Sequence, residues 1–198
     1  MAGAGEVLQQ RIERERSSTT AVIGMIAFLA SWAMMFSGLF FAFGLSRVRA
    51  EQWPPASVPA LPLGLPSLNT LVIALSSVAL LFGLSRVKRG HARALAPALY
   101  LATALGALFV VLQFKLWTDM WSAGLHASSG QYGSLFYALT WVHAVHVGVG
   151  ILALLWLSIR ASAGAFSPAR HLSVKLWSFY WHFVGVAWLF MFLLVFLT

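Results

Sequence analysis

Leu135 to Ile159 reads LFYALTWVHAVHVGVGILALLWLSI, a stretch without a single Asp, Glu, Lys or Arg. As a helix rising 1.5 Å per residue, such a run is long enough to cross about 30 Å of hydrocarbon. Four further apolar runs reach the same length class: Thr20 to Leu45, Leu68 to Leu84, Leu95 to Trp117 and Leu176 to Leu197. In lipid every backbone N–H and C=O must find its partner inside the segment, which leaves helices and closed barrels as the spanning structures. A barrel needs segments of about ten residues in strict alternation, and these runs are continuous. The sequence therefore predicts an all-α, polytopic membrane helix bundle with five transmembrane helices.

Composition agrees. Apolar residues fill 60% of the 198 positions and charged residues 9%, against about 25% charged in an ordinary soluble domain. The formal charge of +8 sits in short clusters between apolar runs. That pattern argues for loops at a membrane surface and against a nucleic-acid-binding face. Cysteine is absent, so disulfides, thiolate metal sites and Cys nucleophiles are excluded. Residues 1–19 are polar and lack the short apolar core of a secretory signal. They read as a cytoplasmic segment, amphipathic or frayed, ahead of one transmembrane domain over residues 20–198.

Orientation follows from the basic residues of the short loops. Arg11, Arg14, Arg16, Arg86, Lys88, Arg89, Arg93, Arg160, Arg170 and Lys175 fall on one side, while Arg47 and Arg49 fall on the other. The N-terminus is thus expected in the cytoplasm and the C-terminus on the periplasmic or external side. The Ser46 to Ser67 connection carries Trp53-Pro54-Pro55 and prolines 59, 62 and 66, which predicts an extended, stiff crossing. Asp119 to Ser134 reads as a second external loop. Trp53, Trp117, Trp121 and Trp177 fall at span ends, where an aromatic belt is expected. Ser31, Gly38 and Ala42 share one face of the first span and suit close helix approach.

Ionisable groups inside the spans are few: Lys115, His143, His146 and His182. Lys115 reads as snorkelling toward the interface. His143 and His146 are three apart and share a helix face with Thr140, Tyr137 and Gly150, a stripe suited to packing against neighbouring helices. Three histidines could hold a metal or a haem. No carboxylate or thiolate accompanies them, however, and two on one helix cannot ligate opposite faces of one haem. The preferred reading is that each hydrogen-bonds to a partner helix or a lipid headgroup. No phosphate-binding loop, nucleophile–base pair or paired carboxylate set is present, so no catalytic residues and no metal ligands are assigned.

The ordered motifs resemble subunit III of the haem–copper oxidases, in its shorter five-helix bacterial form. The first span reads Gly24-Met25-Ile26-Ala27-Phe28-Leu29-Ala30-Ser31, followed by Met34-Met35-Phe36. Trp53-Pro54-Pro55, Leu68-Asn69-Thr70, Ser76-Ser77, then Leu105-Gly106-Ala107-Leu108-Phe109 and Gln113 follow in the family's order. The strongest stretch is Ser128-Ser129-Gly130-Gln131-Tyr132-Gly133-Ser134 leading to Phe136-Tyr137, Thr140, His143 and His146. His171 and Tyr180-Trp181-His182-Phe183-Val184 close the series. The chain departs from the family where acids are customary, with Trp32, Leu116, Lys175 and Gly185 in their places.

The resemblance implies an accessory subunit without cofactors of its own, packed on a catalytic subunit I that holds haem and copper. It would serve a respiratory terminal oxidase in a bacterial inner membrane, bind phospholipid and support turnover and proton uptake. It also implies a division into a two-helix hairpin, Thr20 to Leu84, and a three-helix bundle, Leu95 to Leu197, with lipid in the cleft between them. Arg160 matches a position for an anionic headgroup, and Trp32 and His182 are further candidates for lipid contact. His143, His146, Thr140, Tyr137, His171, Trp181 and His182 are the family's packing motif. The missing acids keep open a subunit-III-like companion of nitric oxide reductase. A small transporter or channel would need intramembrane charge pairs or broken helices, which the sequence does not display.

Overall fold

A computed structural model of the chain describes residues 2–55, 58–59 and 61–197, with side chains at residues 9, 12 and 13 and from residue 15 onward. It consists of five long helices: α1 (Ala2–Arg49), α2 (Gly64–Lys88), α3 (Leu95–Ser122), α4 (Gln131–Ser162) and α5 (Leu172–Met191). All five are long and apolar enough to cross a membrane, and no strand occurs among the described residues. α1 to α4 overrun their apolar runs, because backbone bonding continues into the polar ends, while α5 starts before its run and stops short of the run's end. The polar N-terminal segment is helical and continuous with the first span; the side chains of Arg11 and Arg14 lie outside the described ones. The last helix relaxes into a π turn at Phe192–Phe196.

Local chemistry sets the ends. α1 stops before Trp53-Pro54-Pro55, where proline withholds a donor and disfavours helix in the residue before it. Pro66, expected in the loop, instead lies in the first turn of α2, where a missing N–H costs nothing. In the described part of the connection the Pro55 carbonyl accepts from Val58 N at 2.9 Å, too close for the expected extended crossing at that point, and the Trp53–Pro54 bond is cis. Trp53 folds back to pack edge-on against Phe43 and Tyr132 at 5.2 and 5.0 Å. Gly90 and Gly124 take φ of +90° and +93° after α2 and α3, the left-handed cap that glycine adopts without a Cβ clash. The following N–H groups, of His91 and Leu125, return to Arg86 and Met120 carbonyls at 2.9 and 3.0 Å.

α2 packs along α3, α3 along α4, and α5 against both α2 and α4, while α1 rests on α4 and α5. The expected hairpin of the first two spans therefore does not form. Residues 50–63 are long enough to carry the chain away, and the two helices present different faces. Gly83 of α2 comes so close to α3 that an added Cβ would sit 2.8 Å from Ala98 Cβ. α1 instead offers Phe36 and Phe43, buried against α4 and α5. A Cβ added at Gly38, on the small-residue face of α1, would meet nothing within 4 Å, so no close helix approach occurs there among the described residues.

One side chain ties four of the helices. Trp181 of α5 is wholly buried, and its indole N–H donates to Ser76 Oγ of α2 at 3.0 Å. Ser76 in turn donates to the Ala102 carbonyl of α3 at 2.8 Å. The ring lies between Gly106 of α3 and Gly150 of α4, and a Cβ at either would come within 2.7 Å of it. Gly106→Ala is expected to destabilise the protein by roughly 1–3 kcal/mol through overpacking. Gly148→Ala, with nothing within 4 Å, is expected to leave the midpoint of thermal unfolding in detergent unchanged or raised. Equal midpoints for the two variants would refute this packing.

Candidate functional site

The stripe on α4 is buried over Tyr137, Thr140, His143, His146 and Gly150. Its hydroxyls are bonded. Tyr137 donates its hydroxyl to the Leu125 carbonyl at 2.8 Å. Thr140 Oγ1 accepts from Trp117 Nε1 at 3.0 Å and donates to Phe136 O at 2.8 Å. Tyr180 of α5 reaches the His146 carbonyl at 3.0 Å. Trp117 is thus an interhelical donor, 6% exposed and stacked on Trp141 at 4.5 Å, and not part of a lipid-facing belt. Trp121, 59% exposed, does face outward.

The histidines differ from the reading in which each bonds to a neighbouring helix or headgroup. His146 Nδ1 pairs with the Val142 carbonyl of its own helix at 2.6 Å, its Nε2 has no partner, and both nitrogens of His143 are unpaired. Their surroundings are aromatic. His143 faces Phe109 and Trp188 at 5.8 and 5.6 Å, and Phe36 of α1 lies 5.3 Å from His146. Trp32 sits edge-on to His146 with ring centroids 3.6 Å apart. His182, half-buried on α5, also leaves Nε2 without a partner. Among the described residues no group of three or more His, Cys, Asp or Glu side chains could hold a metal ion, so His182 does not join the α4 pair as a ligand set.

Of the four positions where the resemblance places acids, three hold uncharged residues and one holds a cation. Trp32 covers His146, and Leu116 is wholly buried. Gly185 lies opposite Ser77 and Ile73 of α2, which an added Cβ would meet at 3.7 and 3.8 Å. Lys175 turns its ammonium over Phe179 at 5.7 Å. Arg160, exposed at the end of α4, holds its guanidinium over Trp156 and Phe166 at 5.0 and 6.0 Å.

One opening of about 610 Å³ lies between α3 and α4, bordered by Phe114, Trp121 and Trp141, and others follow α1, the least buried span. A cleft of about 430 Å³ between α1 and the start of α5 is lined by Glu15, Ser18, Thr19, His171 and Lys175, with His171 Nδ1 paired to the Pro168 carbonyl at 2.7 Å. A second, of about 230 Å³, runs between Phe36, Ser37 and Phe40 of α1 and Phe183, Val186 and Phe190 of α5. The helix that stands apart is α1 alone. Sequence reasoning also missed an ion pair: Lys115 Nζ lies 3.0 Å from Asp119 Oδ2. The i,i+4 spacing was the available signal, obscured because Asp119 was assigned to a loop whereas α3 continues to Ser122.

The family model for cytochrome c oxidase subunit III matches residues 15–198. Cytochrome c oxidase subunit 3 of Thermostichus vulcanus is 33% identical over 179 residues, covering 89% of this chain and 86% of that protein. Probable cytochrome c oxidase subunit 3 of Nocardia farcinica is 32% identical over 187 residues, covering 93% and 91%. Cytochrome c oxidase subunit 3 of Dasypus novemcinctus is 33% identical over 179 residues, covering 87% and 67%.

Phe36, 3% exposed, is the side chain through which α1 meets His143, His146 and Phe183. Phe36→Ala should cost about 3–5 kcal/mol if the vacated space does not collapse. Its expected signature is faster limited proteolysis within α1 than within α2 to α5. Uniform sensitivity across the helices would show that α1 is not held at this point.

Proposed function

The chain belongs to the cytochrome c oxidase subunit III family, and we propose that it packs on the haem- and copper-bearing subunit I of a respiratory oxidase, holding lipid against it and supporting proton uptake and turnover. The observation that carries this reading is the family match, which runs through every span. Membership makes the chain an accessory subunit of a multi-pass membrane complex, and haem and copper are assigned to its partner. The site supports a packing role. The α4 stripe is spent on interhelical bonds and aromatic contacts, and the four positions lacking acids hold no carboxylate that could relay protons.

The lipid assignment rests on placement. Arg160 is a cation without a described ion-pair partner, pinned over aromatic rings at the end of a span, where an anionic headgroup gains about 1 kcal/mol per basic residue. His171 and Lys175 share the cleft beside α1 with two hydroxyls, while Trp32 and His182 border apolar surface. The cleft along α1 and α5 replaces the one expected between a hairpin and a bundle. A nitric oxide reductase companion gains no support from the relatives, each of which carries the oxidase name. The Lys115–Asp119 pair is exposed at one helix end and lines no passage, so a channel gains none either.

Affinity purification of the tagged chain in mild detergent is expected to bring down a larger subunit carrying haem and copper, with phospholipid that falls in Arg160→Ala. Recovery of stoichiometric haem on this chain alone would overturn the reading. Orientation in a bacterial inner membrane is testable because the chain lacks cysteine. A membrane-impermeant thiol reagent applied to spheroplasts should label Ser128→Cys and spare Lys88→Cys, and the reverse pattern would invert the topology.

A further inference from the structure

Asn69 of α2, Gln113 of α3 and His143 of α4 are each no more than 1% exposed. Asn69 Nδ2 donates to Gln113 Oε1 at 3.3 Å. Asn69 Oδ1, Gln113 Nε2 and both ring nitrogens of His143 have no hydrogen-bond partner among the described residues. Exchanging the amide oxygens and nitrogens does not remove the deficit, since a single bond between two amides always leaves one acceptor and one donor idle. His143 adds one donor and one acceptor in either tautomer. Buried polar groups are nearly always bonded, so this concentration of idle ones within a few turns calls for a partner.

The three residues converge through their neighbours. Phe109, Gln113 and Trp117 follow one another at one-turn intervals along α3. Phe109 faces His143 at 5.8 Å, and Trp117 bonds Thr140, one turn before His143, at 3.0 Å. Gln113 lies between these two contacts. On the other side Thr70, next to Asn69, accepts from Trp188 Nε1 at 3.0 Å, and the Trp188 ring is 5.6 Å from that of His143. The idle groups demand a ligand that both donates and accepts. No carboxylate or basic chain stands among them to hold an ion, and a purely apolar molecule would leave the deficit in place.

We propose that Asn69, Gln113 and His143 form an internal hydration site. A bound water accepts from Gln113 Nε2, donates to Asn69 Oδ1 and bonds the His143 imidazole, joining α2, α3 and α4. A buried water of this kind makes about three hydrogen bonds, which serves three of the four idle atoms and leaves one His143 nitrogen over. The inference concerns the folded chain and does not depend on which oxidase it serves.

Radiolytic labelling of the purified native complex tests it, because a trapped water delivers hydroxyl radical to side chains that bulk solvent does not reach. Trp188 and Trp181 are both 0% exposed, and only Trp188 adjoins the site. Trp188 is expected to oxidise several-fold faster than Trp181, and the excess should vanish in Asn69→Leu/Gln113→Leu. Equal rates in the wild-type protein would overturn the proposal. Persistence of the excess in the double variant would overturn it too. If that variant does not assemble, the wild-type comparison decides alone.

Discussion

The fold depends on fitting one indole between two glycines. Lipid tails are as apolar as leucine side chains, so burying apolar surface gives helices in a membrane little reason to choose one neighbour over another. Shape and hydrogen bonding must supply that choice. Trp181 does both: its ring fills the space that Gly106 and Gly150 leave free, and its N–H enters the Ser76–Ala102 chain of bonds. α2, α3, α4 and α5 are thereby set in one mutual register. Trp188 to Thr70 and Trp117 to Thr140 repeat the device nearer the opposite ends of these helices.

α1 lies outside that register. It meets the bundle through aromatic rings, chiefly Phe36, Phe43 and Trp32, with the Gln131–Ser46 bond of 2.7 Å securing one end. A helix held this way leaves grooves along its flank with α5. The histidines of α4 lie beneath it in aromatic surroundings. Trp32 lies edge-on over the His146 imidazole and screens it from the apolar surface beside α1.

The spans were legible because hydropathy and length decide them almost alone, as Leu135 to Ile159 illustrates. The choice of neighbours was not. Nothing in the periodicity of α1 and α2 says that α1 packs on α4 and α5, because that depends on how aromatic and small residues match across helices. Trp117 read as an interfacial tryptophan by position, yet its N–H is consumed by Thr140, a pairing visible only once α3 and α4 are aligned. The α4 stripe of Tyr137, Thr140, His143 and His146 was readable from spacing. The bonding of its histidines was not, since His146 satisfies one nitrogen on its own helix.

Together these features describe an accessory subunit of an oxidase, built on interhelical packing. The most direct measurement is to release the chain from the purified complex with detergent, then compare metal content and sustained turnover in both fractions. Haem and copper should remain with the residual complex, whose initial activity persists and then decays faster than that of the intact assembly. Departure of haem with the released chain, or undiminished long-term turnover without it, would contradict the account.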